Sequence, residues 1–78
     1  MMTAEEIRDR VLEAIPESEV DVIDTVGDSN HWRVVVTSTQ FEGKSLIDQH
    51  KMVMAPFQDV LGGRMHAIEI KTMLPQAS

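Results

Sequence analysis

The imidazoles of His31, His50 and His66 are the only soft-to-borderline metal ligands in this sequence, because it contains no cysteine. His66 stands out among them. It lies at the head of Met65-His66-Ala67-Ile68-Glu69-Ile70, where an apolar residue would serve a buried strand equally well. Its parity with Ile68 and Ile70 fits a core-facing imidazole bonded to backbone, and its chemistry fits a metal ligand. His50 falls inside a helical apolar stripe and reads as a packed or capping side chain. A zinc site made of histidines alone is a further option, and it requires stoichiometric zinc on the isolated chain.

Enzyme chemistry has no starting motif. The sequence holds no Gly-rich phosphate loop, HExxH, EF-hand loop or nucleophile elbow, and Gly27, Gly43, Gly62 and Gly63 do not form the GxxG clamp of nucleic-acid-binding KH domains. Asp28, Ser29 and His31 adjoin, but a triad also requires a base oriented by a third group and an oxyanion hole, which adjacency does not supply. A non-enzymatic protein is expected. Met52, Met54, Met65 and Met73 read as gap fillers, and Trp32 as a core or strand-edge residue.

Length sets the frame for these side chains. A chain of 78 residues buries only a little over about 60% of its unfolded surface, so one small domain spanning residues 1–78 is expected, without a deep enclosed site. Glu5, Glu6, Asp9 and Glu13 run through the first fifteen residues, which therefore resemble neither a signal peptide nor a membrane span. A cytoplasmic protein with no membrane attachment is the expectation, and the absence of cysteine fits a reducing compartment. The net charge of −6 is uneven: residues 1–30 carry −7 and residues 31–78 carry +1. An acidic chain is repelled by nucleic acid at long range, so any such contact needs a local basic face. Arg33, Lys44, Lys51, Arg64 and Lys71 are the cations available to make one.

The periodicities that must position these residues change along the chain. Thr3-Ala4-Glu5-Glu6 is a capping box, followed at helical spacing by Ile7, Val11, Ala14 and Ile15, and Pro16 ends the helix after about Ile15. Val20 to Asp24 is rich in β-branched residues, and Gly27-Asp28-Ser29-Asn30 is built of turn formers, which predicts a hairpin with Trp32 to Ser38. The middle of that second strand is apolar on both faces, as for a strand covered on both sides. Leu46, His50, Val53, Phe57 and Val60 or Leu61 then form one helical stripe, which Pro56 kinks or divides. Gly62-Gly63 reads as a helix cap, and Met65 to Met73 alternates as a third strand. The predicted order is αββααβ, an α+β domain.

Several ordered segments resemble the BolA-like family. They are Asp28-Ser29-Asn30-His31-Trp32-Arg33-Val34-Val35-Val36-Thr37-Ser38, Phe41-Glu42-Gly43-Lys44-Ser45, Gln49-His50-Lys51-Met52-Val53, and Met65-His66-Ala67-Ile68-Glu69-Ile70-Lys71-Thr72. The resemblance extends from Ile7 to Thr72. It implies a fold like class II KH domains, a three-stranded sheet backed by helices. It also implies a partner, a monothiol glutaredoxin, with which a [2Fe–2S] cluster is shared in iron–sulfur trafficking or iron regulation. By this resemblance His66 matches the family's C-terminal cluster-ligating histidine, and His31 is the residue available for the variable second ligand in the loop before the second strand. The partner's cysteine and glutathione would supply the thiolates, and no cofactor is expected on the isolated chain, free as a monomer or weak dimer. Because protonation removes the imidazole lone pair, cluster sharing should weaken as pH falls through the ordinary histidine range.

Some family members are also proposed to bind DNA, so the alternative is a transcriptional regulator using Arg33, Lys44, Lys51, Arg64 and Lys71 on a KH-like surface. Two positions depart from the family pattern. Gln49 stands where an arginine is common, and Thr72-Met73-Leu74-Pro75 is followed by only three residues, so the family's final tryptophan-bearing helix is expected to be missing.

Overall fold

The computed structural model describes residues 2–25, 27, 31–61 and 67–75. Helix α1 spans Ala4–Ala14, opened by Thr3, whose hydroxyl accepts the Glu6 amide at 3.1 Å and so satisfies one orphan donor of the first turn. Ile7, Val11 and the cap residue Ile15 point into the core. Strands β1 (Glu19–Asp24) and β2 (His31–Thr37) pair antiparallel, as the hairpin reading requires. Of the turn formers between them only Gly27 is described; its positive φ suits glycine, and its amide is held by Asp24 Oδ1 at 2.9 Å.

Strand β3 (Ala67–Met73) runs parallel to β2 on the other side, giving the order β1-β2-β3. A parallel pair needs a long crossover, and the segment between β2 and β3 provides it. It comprises a 3₁₀ turn at Thr39–Phe41, helix α2 (Leu46–Met54) and a second 3₁₀ turn at Ala55–Phe57. Pro56 accounts for the break after α2, since it cannot donate to the preceding turn. The expected α+β domain is therefore present, with the sheet backed by helices on one face and the last helical position of the αββααβ order taken by the 3₁₀ turn at Ala55–Phe57. The expected strand start at Met65 and the Gly62-Gly63 cap fall outside the described residues, as does the end of the chain.

Two expectations are corrected. Strand β2 is covered on one face only: Trp32, Val34 and Val36 are buried, whereas Val35 is half-buried on the face that carries no helix, between Asp21 of β1 and Lys71 of β3. Its apolar character reflects β-propensity and neighbouring side chains rather than a second covering layer. The inward face of α2 also differs from the apolar stripe. Val53, Phe57 and Val60 are buried and His50 is half-buried, but Leu46 is 63% exposed. Leu46 begins the helix and overhangs the core; one helical turn before Val53 the inward position belongs to Gln49, a polar residue that a search for apolar periodicity passes over.

Arg10 fastens the two helical segments together. Its guanidinium donates from Nη1 to the Pro56 carbonyl and to Asp59 Oδ1, each at 2.8 Å. The hydrogen bond to Asp59 holds the Arg10 pKa above its ordinary value, against a smaller opposing effect of burial.

Candidate functional site

Register, not sequence proximity, determines which chemical groups meet at the sheet. His31 is the first residue of β2 and is exposed. Its carbonyl accepts the Thr25 amide at 3.0 Å and the Thr25 hydroxyl at 3.1 Å, so the backbone beneath the imidazole is fixed from the β1 side. On the β3 side His31 is in register with Ala67. His66, the first-choice ligand, precedes Ala67 by one peptide bond and lies outside the described residues. The other histidine, His50, sits half-buried on α2. Among the described residues, no group of three or more His, Asp and Glu stands together as a metal site.

The candidate basic residues do not share one surface. Arg33 and Lys71 lie on the helix-free face of the sheet, interleaved with Glu19, Asp21 and Glu69. Arg33 Nε is 3.2 Å from Glu69 Oε2 across the β2–β3 register, an ion pair exposed enough that solvent leaves it little energetic weight. Lys44 precedes α2 and Lys51 lies on it, both exposed, while Arg64 is outside the described residues. A phosphate backbone tracking the open sheet face would meet three carboxylates and two cations there.

Gln49 acquires a role that its type did not announce. Its Nε2 donates to the Lys44 carbonyl at 3.0 Å and the Phe41 carbonyl at 3.3 Å, and its Oε1 accepts from the Thr72 hydroxyl. One amide thus ties the loop before α2 to the far end of β3. The available signal was helical spacing: Gln49, Val53, Phe57 and Val60 follow at steps of four, four and three. Replacing Gln49 by alanine should cost about 2 kcal/mol, because two partly buried bonds and one exposed one are lost and two loop carbonyls and a hydroxyl lose this partner. A thermal midpoint lowered by about 10 °C in differential scanning calorimetry is the expected reading, and an unchanged midpoint would show that the tie is dispensable.

The described part of the molecule is thus a small α+β domain with a three-stranded mixed sheet, helices on one face, and a histidine exposed at the end of the central strand. No helix among the described residues is long and apolar enough to cross a membrane. The model of the family described as "BolA-like protein" matches residues 4–77. An uncharacterized protein of Rickettsia prowazekii is 36% identical over 72 residues, covering 92% of this chain and 94% of that protein. BolA-like protein 2 of Homo sapiens is 36% identical over 76 residues, covering 95% of this chain and 87% of the relative. Among solved structures, a BolA protein homologue from Coxiella burnetii superposes with a TM-score of 0.78 at 28% identity, over 96% of this chain and 94% of that one. This chain belongs to the BolA-like family.

Proposed function

We propose that this chain is a non-enzymatic partner of a monothiol glutaredoxin, accepting or sharing a bridging [2Fe–2S] cluster in iron–sulfur trafficking or iron regulation. The cluster is cargo of the complex. A chain without cysteine can contribute imidazole but no thiolate, so the glutaredoxin cysteine and glutathione supply the sulfur ligands, and His66, with His31 as the second candidate, supplies nitrogen. Two imidazoles on one iron have a precedent in Rieske centres.

The observation that carries this reading is the register of His31 with Ala67, the residue that follows His66. It sets the first residue of β2 against the residue that follows His66, at one end of a hydrogen-bonded sheet, which supports a contribution from both histidines to one site. The exposure of His31 suits a site completed from outside, by a second protein.

The test is to mix the chain with a cluster-loaded monothiol glutaredoxin and follow visible circular dichroism. The wild type should change the spectrum, His66→Ala should abolish the change, and His31→Ala should weaken it. A spectrum that the wild type leaves unaltered, or a change that persists in His66→Ala, refutes the assignment.

A further inference from the structure

Strand β3 ends the sheet, and among the described strands none pairs with its outer side. Its orientation can be read from one bond: the Ser38 amide donates to the Met73 carbonyl at 3.0 Å, so Met73 turns its backbone groups toward β2. Alternate residues of a strand turn the same way, which directs Ala67, Glu69 and Lys71 inward as well. Ile68, Ile70 and Thr72 therefore present their amides and carbonyls to the edge with which no described strand pairs. Such an edge is a template for another strand.

The side chains specify which strand. If β3 of a second copy is laid antiparallel with Ile70 opposite Ile70, then Glu69 of each copy faces Lys71 of the other, twice by symmetry, on the helix-free face. Ile68 faces Thr72, and all three outward-turned residues meet outward-turned partners, as edge pairing demands. Shifting the register by one residue pair in either direction sets Glu69 against Glu69 or Lys71 against Lys71. Like charges directly opposite disfavour pairing, so the charges select one register. Edge strand β1 offers no such charge complementarity, because its charged residues, Glu19, Asp21 and Asp24, are all acidic.

We propose that two copies of this chain associate through antiparallel pairing of their β3 edges, centred on Ile70, to form one six-stranded sheet. The contact is isologous and closes on itself, so it ends at a dimer. Glu69 keeps its neighbour Arg33 and gains the lysine of the second copy. Formation of this dimer is independent of the cluster-sharing role and is measured without glutaredoxin or iron.

Sedimentation equilibrium of the full chain tests it, at about 0.15 M salt, where the Debye length of about 8 Å screens the net repulsion between copies more than the close pairs. The wild type should show a monomer–dimer equilibrium. Glu69→Lys and Lys71→Glu should each raise the dimer dissociation constant roughly tenfold or more, and the double exchange should restore most of the affinity. Lys71→Glu leaves the Arg33–Glu69 pair in place, so equal weakening by both single variants excludes that pair as the cause. Amide exchange supplies the positional readout: Ile68, Ile70 and Thr72 should become protected as concentration rises, whereas Glu69 and Lys71 should not change. A chain that stays monomeric up to about 1 mM overturns the proposal. So does a dimer indifferent to the charge exchange, or one that leaves those three amides unprotected.

Discussion

Replacing Phe57 with alanine should lower the stability of this domain by about 3–5 kcal/mol, a large share of the roughly 4–12 kcal/mol expected for a domain of this size. Phe57 has no exposed surface and is among the largest fully buried side chains, together with Phe41. It stands where the chain leaves α2, and its carbonyl accepts the amides of Val60 and Leu61 at 3.1 and 3.2 Å. The residue before it gives its carbonyl to Arg10 of α1. Removing the ring therefore opens a cavity at the junction of both helices and the sheet. Nothing covalent offsets the loss, since the sequence has no cysteine and hence no disulfide. In urea denaturation the midpoint should fall sharply, with a substantial unfolded fraction already at 37 °C. Leu46→Ala is the matched control: its side chain is 63% exposed, and the change should stay within about 0.5 kcal/mol. Comparable losses in the two variants would contradict the placement of the core.

The contrast between Phe57 and Leu46 shows where the sequence could be read and where it could not. Ile7, Val11 and Ile15 on α1 and Trp32, Val34 and Val36 on β2 follow the helical and alternating periods that burial imposes, and all six are buried. Pro56 announces the end of α2 because its chemistry is local. Gln49 defeats the same logic: it occupies an inward position through hydrogen bonds to Phe41, Lys44 and Thr72, and hydrophobic periodicity has no symbol for a polar residue satisfied by distant backbone. Leu46 and Val35 fail in the opposite sense, as apolar residues whose type promised burial but whose places, at a helix tip and on an uncovered sheet face, do not provide it.

For the candidate site the limit is of another kind. Residue types could nominate His31 and His66, but the pairing of His31 with Ala67, the residue that follows His66, depends on the parallel register of β2 with β3 across a crossover of some thirty residues. That register is a tertiary property. It emerges from closing the crossover over the core, where Val53 and Phe57 join Val34 and Val36 in one buried cluster, and no local spacing encodes it. The dispersal of Arg33, Lys44, Lys51 and Lys71 was equally hidden, because a tally of charges does not say which of them share a face.

On the proposed role, exchanging His66 for cysteine should preserve cluster sharing but lower the reduction potential of the shared cluster by about 100–300 mV. A thiolate replaces a neutral imidazole, adds one negative charge to the iron's ligand shell and so disfavours the added electron. Centres with two imidazoles on one iron lie some hundreds of millivolts above all-thiolate ferredoxins. Each 59 mV corresponds to a tenfold change in a one-electron equilibrium, so the shift is far outside experimental scatter. His31→Cys should lower the potential as well if its imidazole is the second ligand, and leave it unaltered if another group holds that position. His50→Cys serves as the internal control, because His50 is half-buried on α2 and should set no potential. The measurement is a spectroelectrochemical titration of the reconstituted complex with glutaredoxin. A wild-type potential in the all-thiolate range, unmoved by His66→Cys, would mean that this chain binds beside the cluster without ligating it. The register of His31 with Ala67 would then describe a docking edge rather than a ligand pair.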